Sequence, residues 1–429
     1  MPPFAYEMHE MAYLALAPTR ALSDAARTWL EHPGNPLSYT AAGRNLAASA
    51  KIFERLTRRY DKPAFDLATT AVDGQIVPIV ERVAWERPFC KLLHFEKQFD
   101  TAAPEPRQKL LIVAPMSGHH ATLLRGTVEA FLPFYDVYIT DWVDARTIPL
   151  VSGRFDLDDY IDYLISICEV LSKERDGAIV HTIGVCQPAV PLSAAVALME
   201  ARDSPHVPAS MTLMGGPIDA RRSPTKVNLL VQERGSAWFA QNCICTVPFG
   251  YPGGGREVYP GFLQLMGFMA MNIDRHIIAN LEFFDHLVAG DGDSARKHSE
   301  FYDEYRSVMD LTSEFYLQTV DTVFVKHALP KGQMKHRGAP VDLAAIRRVG
   351  LLTVEGENDD ISGIGQTLAA QELCRGIPPS MKANYLQNKV GHFGVFNGSR
   401  FRNEIVPRIR KFHASLRPPA RVLNLVENS

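Results

Sequence analysis

One stretch of this chain has the residue types and spacing for nucleophilic chemistry. His181-Thr182-Ile183-Gly184-Val185-Cys186-Gln187-Pro188-Ala189 is a β-rich run, then Gly-x-Cys-x-Pro, then an alanine-rich segment from Ala189 to Met199. A β-run, a sharp turn and a helix form the outline of a nucleophile elbow, in which the reactive residue sits on a strained bend and its neighbours two positions away must be compact. Gly184 meets that demand. Pro188 stands where a second glycine is usual, but proline fits the first turn of a helix, where its missing N–H would have had no partner. Cysteine suits the spot because the thiolate is the nucleophile, and the positive end of the following helix together with a histidine favours that form. The chain has no Gly-x-Ser-x-Gly to compete. A lone cysteine is more often a small buried hydrophobe, so the reading depends on partners.

Partners stand in the order acid, then histidine. Val354-Glu355-Gly356-Glu357-Asn358-Asp359-Asp360-Ile361-Ser362 puts a carboxylate after an apolar run, and Asp359 fits the turn spacing better than its neighbour Asp360. Asn388-Lys389-Val390-Gly391-His392-Phe393-Gly394 puts a histidine between glycines after the next run. His392 would take the thiol proton and later activate water, and Asp359 would fix its tautomer. Alone, Asp359 reads as a turn cap and His392 as a satisfied loop histidine. Three loop residues in this order, each after a predicted strand, are hard to attribute to chance. Acyl transfer also needs two donors for the oxyanion. The N–H of Gln187 is one. The other is expected from Ala114-Pro115-Met116-Ser117-Gly118-His119-His120, with Met116 or Ser117 as the backbone donor.

These residues need a sheet to carry them. Short apolar runs at Leu110–Ala114, Val137–Thr140, Ala178–Ile183, Met211–Met214, Leu351–Val354 and Ala383–Leu386 have the look of buried parallel strands. Leu157, Tyr160, Ile161, Leu164, Ile165, Cys168 and Leu171 recur at helical spacing between the second and third runs. Strands alternating with such helices imply an α/β fold with a mostly parallel central sheet covered on both faces. Ile76–Val83 and Phe89–Phe95 predict a hairpin around Arg87-Pro88.

Met8, Met11, Ala12 and Leu14–Leu16, then Ala21, Ala25, Trp29 and Leu30, predict amphipathic helices before residue 60, packed on their own domain or touching an apolar phase. The expected organisation is a helical extension over 1–70, a core over 71–216 and 346–420, and an inserted lid or cap over 217–345, ahead of the acid-bearing strand. The insertion holds Tyr251-Pro252-Gly253-Gly254-Gly255, an apolar group of Phe262, Met266, Phe268, Met269 and Met271, and a charged helical stretch from Glu300 to Thr319.

Forty-five Lys plus Arg against 48 Asp plus Glu give a formal charge of −3, which leaves no positive excess for a phosphate backbone, so nucleic acid is not an expected partner. With 46% hydrophobic and 22% charged residues among 429, a globular chain with a large core is expected. The amino-terminal residues lack a secretory pattern, and no run reaches the roughly 18 apolar residues of a membrane span. Six scattered cysteines (Cys90, Cys168, Cys186, Cys243, Cys245, Cys374) are expected to be reduced, in a cytoplasmic protein. Gly253-Gly254-Gly255 lacks the Lys-Ser/Thr of a phosphate loop and reads as a flexible segment, and Cys243-Ile244-Cys245 and His119-His120 lack the companion pairs of a zinc site. No metal or cofactor is called for.

The chain resembles the intracellular poly(3-hydroxybutyrate) depolymerases, cysteine-type members of the α/β-hydrolase superfamily. The resemblance rests on Pro115-Met116-Ser117-Gly118-His119, Gly184-Val185-Cys186-Gln187-Pro188, Thr353–Ser362 and Gly391-His392-Phe393-Gly394, and extends through Phe301–Pro340 with Phe315-Tyr316-Leu317-Gln318-Thr319-Val320. It implies an α/β-hydrolase fold and thiol-dependent hydrolysis of stored polyester at cytoplasmic polyhydroxyalkanoate granules, with release of hydroxyacid monomers and short oligomers. A polyhydroxyalkanoate synthase also uses an elbow cysteine, but its motif has glycine where this chain has Pro188. A granule-coating protein without activity is the third reading, and an intact set of three residues speaks against it.

Overall fold

The computed structural model describes residues 5–99, 107–173, 179–271 and 273–416. Three helices open the chain, α1 (Ala5–Ala15), α2 (Ala17–Glu31) and α3 (Ala41–Thr57). Met8, Met11, Leu14 and Trp29 lie exposed, while Tyr6 and Leu30 are buried. Residues 1–4 of the expected extension lie outside the described residues.

Then come β1 (Thr69–Val72), β2 (Gln75–Arg87), β3 (Cys90–Lys97), β4 (Lys109–Val113), α4 (Arg125–Phe131), β5 (Asp136–Trp142), α5 (Leu157–Lys173), β6 (Val180–Val185), α6 (Ala189–Ala201) and β7 (Ser210–Met214). The expected hairpin is the antiparallel pair β2–β3. Each apolar run of the sequence lies in one of these strands or in those below, within two residues of its predicted ends. Ala178, the predicted start of the third, lies outside the described residues. In α5 the buried stripe runs through Leu157, Tyr160, Ile161, Leu164, Ile167, Cys168 and Leu171, with Ile165 only half-buried.

Between β7 and the next sheet strand lie α7 (Lys226–Cys243), β8 (Cys245–Thr246), β9 (Glu257–Tyr259), α8 (Gly261–Met271), α9 (Ile273–Ala289), α10 (Gly292–Arg306), β10 (Leu311–Thr312), α11 (Ser313–Thr319), β11 (Lys335–His336) and β12 (Ala339–Pro340). This insertion is mainly helical, with a small sheet of order β10-β9-β8. The predicted helical stretch from Glu300 to Thr319 is broken. After Arg306 the chain extends, because the N–H of Met309 donates to the carbonyl of Gly118 at 2.7 Å and draws the strand away from the helix axis. Tyr251 to Gly255 is a packed turn rather than a loose segment: Gly253 donates to the carbonyl of Arg146 at 2.8 Å, and a Cβ there would meet the Ala145 and Arg146 carbonyls at 2.7 Å.

The core closes with β13 (Gly350–Gly356), α12 (Ala369–Leu373), β14 (Lys382–Gln387), α13 (Gly398–Arg400) and α14 (Val406–Ser415). Residues 417–420 of the expected core lie outside the described residues. The main sheet has the order β1-β2-β3-β5-β4-β6-β7-β13-β14. From β5 to β14 all neighbours run parallel, and only β1–β2, β2–β3 and β3–β5 are antiparallel. This is the α/β-hydrolase arrangement. Strands β4, β6, β7 and β13 are buried along their whole length, as strands covered on both faces must be.

A buried polar cluster ties the amino-terminal helix to the insertion. The Tyr6 hydroxyl donates to Asp310 Oδ2 at 2.6 Å and the N–H of Gly261 donates to Oδ1 at 2.9 Å. The N–H of Asp310 donates to Asp144 at 3.1 Å, and Asp144 pairs with Arg146 at 2.8 Å. Burial, reinforced by the Asp310 charge, pushes the Asp144 carboxyl up to about 7. A carboxyl raised in the folded state favours folding below the ordinary carboxylate range, and that contribution is lost as pH rises through about 7. The variant Asp144→Asn is therefore expected to gain stability relative to wild type between pH 5 and pH 8, read from urea midpoints at both values.

Candidate active site

Local sequence explains the elbow. β6 is wedged between β4 and β7, so its chain must leave the sheet sharply to start α6. Cys186 makes that turn with φ +68°, left-handed backbone that costs a non-glycine residue on the order of 1–3 kcal/mol. The bend is held from two sides: the N–H of Cys186 donates to the Met214 carbonyl at 2.7 Å, and the Cys186 carbonyl accepts from Ala189 at 3.0 Å. Pro188 sits at the cap position of α6 with φ −56°, as its ring requires. A Cβ on Gly184 would touch Leu192 at 3.0 Å. On Gly216 it would lie 2.2 Å from the Ala189 side chain, so the chain leaving β7 passes the elbow only as glycine. Cys186 is half-buried.

Asp359 follows β13 and its side chain is fully buried. Oδ1 accepts from the N–H groups of Ile361 at 2.9 Å and Ser362 at 2.8 Å, the cap role expected of an aspartate in a turn. Oδ2 faces His392 Nδ1 at 2.8 Å. One carboxylate thus caps its own loop and orients the ring. Asp360 is exposed, which separates the two candidates. His392 opens a short turn after Gly391, packs edge-on against Phe396 and feels the charge of Cys186. Burial favours the neutral ring, yet the Cys186 and Asp359 charges and their hydrogen bonds outweigh it and hold the imidazole well above its ordinary range. His392 is thus paired with Asp359 and within electrostatic reach of Cys186.

The loop after β4 is fixed as firmly. Trp142 donates to the Ala114 carbonyl at 2.8 Å, and the N–H of Ala114 donates to Thr140 at 2.9 Å. The N–H of Met116 donates to Gln187 Oε1 at 3.3 Å, so the two residues expected to serve the oxyanion are neighbours, with a side-chain oxygen on the Met116 donor. Gly118 has φ +97°, and the Gln264 amide of α8 lies where its Cβ would be. His119 donates through Nε2 to the Tyr305 carbonyl at 3.0 Å. Burial pushes His119 down to about 4; burial, with Lys62, Arg146 and His119, pushes His120 down to about 3. Both rings are neutral structural groups.

Several positioning residues escaped the sequence reading. Gly215 has φ +55°, and a Cβ there would sit 3.3 Å from Asp359 Oδ2 and 3.4 Å from His392 Cε1. Glu355, buried near the end of β13, accepts from the N–H groups of Gly365 at 3.0 Å, Thr367 at 2.8 Å and Leu368 at 3.0 Å, and so gathers the loop that carries Asp359. Thr367 then exchanges hydrogen bonds with the backbone of Gly216. The signal available was Gly-Gly directly after an apolar run. All six cysteines are free, and among the described residues no three His, Cys, Asp or Glu side chains gather as a metal site.

Residues 215–417 match the family model described as PHB de-polymerase C-terminus, a span that includes Asp359 and His392 and begins after Cys186. No curated protein matches the chain. Solved structures to which the chain is similar include a 2-hydroxy-6-oxo-6-phenylhexa-2,4-dienoate hydrolase from Rhodococcus sp. strain RHA1 (11% identity, 79% of this chain and 99% of that one, TM-score 0.41). Others are a meta-cleavage product hydrolase from Pseudomonas fluorescens IP01 (14%, 80% and 97%, TM-score 0.40) and an esterase from Thermogutta terrifontis (13%, 81% and 97%, TM-score 0.38). Over residues 215–417 the chain is similar to the carboxy-terminal part of PHB depolymerases.

The Asp359 charge, after that of Cys186, helps to hold the His392 ring above its ordinary range, so Asp359→Asn is expected to lower the pKa of that ring. Asp360→Asn is expected to leave it in place. Titration of the imidazole nitrogens by NMR distinguishes the two, and equal shifts would contradict the assignment.

Proposed function

We propose that this chain is a cysteine-dependent carboxylic ester hydrolase acting on poly(3-hydroxybutyrate), with Cys186 as nucleophile, His392 as general base and acid, and Asp359 as its orienting carboxylate. The observation that carries the reading is the buried His392–Asp359 pair at 2.8 Å beside a cysteine on a left-handed bend. With Nδ1 turned to Asp359, Nε2 is the nitrogen available to the thiol. The Cys186 sulfur attacks the ester carbonyl, the proton passes through His392 to the leaving alkoxide, and a hydroxyl chain end departs while an acyl-thioester remains. His392 then deprotonates water, which hydrolyses the thioester, releases the hydroxyacid and restores the thiol.

Two backbone donors serve the oxyanion, the N–H of Gln187 and that of Met116. The incoming carbonyl oxygen takes the place of Gln187 Oε1 on the Met116 donor. That exchange is favourable because a neutral hydrogen bond at 3.3 Å is weak, whereas a bond to a developing negative charge is roughly twice as strong. Residues 217–345 act as the cap, 71–216 with 346–420 as the hydrolase core, and 1–70 as an extension bound to that cap.

The match over residues 215–417 supports poly(3-hydroxybutyrate) as substrate, and storage granules in the cytoplasm are the place of work proposed with it. Among the described residues no helix is long and apolar enough to cross a membrane. Pro188 at the cap of α6 favours hydrolysis over polymer synthesis.

Cys186→Ala is expected to keep the wild-type unfolding midpoint and to lose acid release from amorphous polyester by about a thousandfold or more, since removing the nucleophile leaves only binding and oxyanion contributions. pH-stat titration of released acid, with iodoacetamide as a second probe, checks this. Undiminished turnover by the alanine variant would overturn the role given to Cys186.

A further inference from the structure

The cap carries an apolar face whose use the mechanism leaves open. On α9, Ile273, Ile277, Ile278 and Leu281 fall at i, i+4, i+5 and i+8, within one arc of the helix, and each is 53–61% exposed. Met266 of the adjoining α8 is exposed as well. Isolated exposed apolar residues are ordinary, but five large ones on two neighbouring helices mark an interaction surface.

Two observations say what fits it. The first is charge. α8 (GFLQLMGFMAM) has no ionisable residue, and α9 has Asp274, Glu282 and Asp285 against Arg275 alone. Helices that lie on anionic lipid carry Lys and Arg along the polar face, and this pair has the reverse bias. An uncharged, aliphatic surface is favoured over an anionic one. The second is continuity with the candidate active site. The inward side of α8 places Gln264 on Gly118 and Phe268 over the His119 ring at 5.7 Å, and both positions belong to the loop that holds Met116.

The geometry points to the α8–α9 face as the surface by which the protein lands on a solid aliphatic polyester, holding the substrate beside the mouth of the Cys186 site. This inference rests on the polyester reading given above. Of the apolar group in the insertion, Met266 belongs to this face, whereas Phe262 is stacked on His9 at 4.0 Å and Phe268 on His119, both half-buried and engaged with the fold, and the Met271 side chain lies outside the described residues.

The test compares wild type, Ile277→Glu/Leu281→Glu and Cys186→Ala, each as the full chain. Cosedimentation with lipid-free amorphous poly(3-hydroxybutyrate) particles gives binding, and p-nitrophenyl butyrate gives turnover of a soluble ester. The double variant is expected to bind particles at least about tenfold more weakly, because two side chains no longer leave water on contact. Its release of acid from particles falls in proportion, while its soluble-ester turnover and unfolding midpoint stay at wild-type values. Cys186→Ala is expected to bind particles as wild type does.

Particle binding by the double variant equal to wild type would overturn the assignment. Capture of wild type by phosphatidylglycerol vesicles, abolished in the double variant, would assign the face to a membrane instead. A wild-type dimer in sedimentation velocity that the double variant makes monomeric, with particle binding unchanged, would assign it to a second copy. Acid release by Cys186→Ala would reject the hydrolytic mechanism and leave the docking result standing.

Discussion

The left-handed bend at Cys186 is the constraint to which the surrounding structure answers. A non-glycine residue keeps φ +68° only when its surroundings fix it more firmly than its own preferences resist. Here β6 delivers the chain from the middle of a parallel sheet, α6 receives it three residues later, and the neighbouring strand β7 closes a 2.7 Å hydrogen bond onto the bend itself. The small residues around it follow from the same geometry. Gly184, Ala189 and Gly216 are compact because strand, helix and adjacent strand converge on one turn. A Cβ at Gly216 would stand 2.2 Å from that of Ala189.

The buried pair His392–Asp359 poses a second physical problem, since charge inside a protein is costly unless fully hydrogen-bonded. The structure meets that cost locally. Asp359 spends one oxygen on two backbone N–H groups and the other on the ring, so neither is left bare. Those N–H groups are in position because Glu355 collects three more from the same loop. Two acidic residues four positions apart thus divide the work, one shaping the loop and the other using it.

Much of this was legible in the sequence, for a physical reason. Buried parallel strands are continuous apolar runs, and a strand-turn-helix with a glycine before a cysteine has few alternative foldings, so strand positions, the turn at Cys186 and α5 could be read directly. Less legible were features set by distant contacts. The break after Arg306 follows from a hydrogen bond between Met309 and Gly118, far apart in the chain. The small β8-β9-β10 sheet has strands of two or three residues, too short for any periodicity to register. Glu355 reads as an ordinary strand-end acid until its three backbone donors are seen.

The same contacts join the two halves of the site to the rest of the chain. Met309 holds the loop of Met116 through Gly118, and its neighbour Asp310 is held in turn by Tyr6 of α1 and by Gly261 at the start of α8. The Met116 loop therefore has an anchor outside the main sheet, in the insertion and the first helix. A loop held only by its own short turn would sample many positions, and a displacement of about 1 Å is enough to cost an acyl-transfer site a large part of its rate. Fastening it to a buried aspartate that also seats α8 means that the helices presenting the apolar face and the donors facing the thiol are set by one cluster of hydrogen bonds. The elbow itself is built without that cluster, from β6, α6 and β7 alone. The Cys186 bend and the Met116 loop are accordingly stabilised by separate parts of the molecule and meet only across the candidate site.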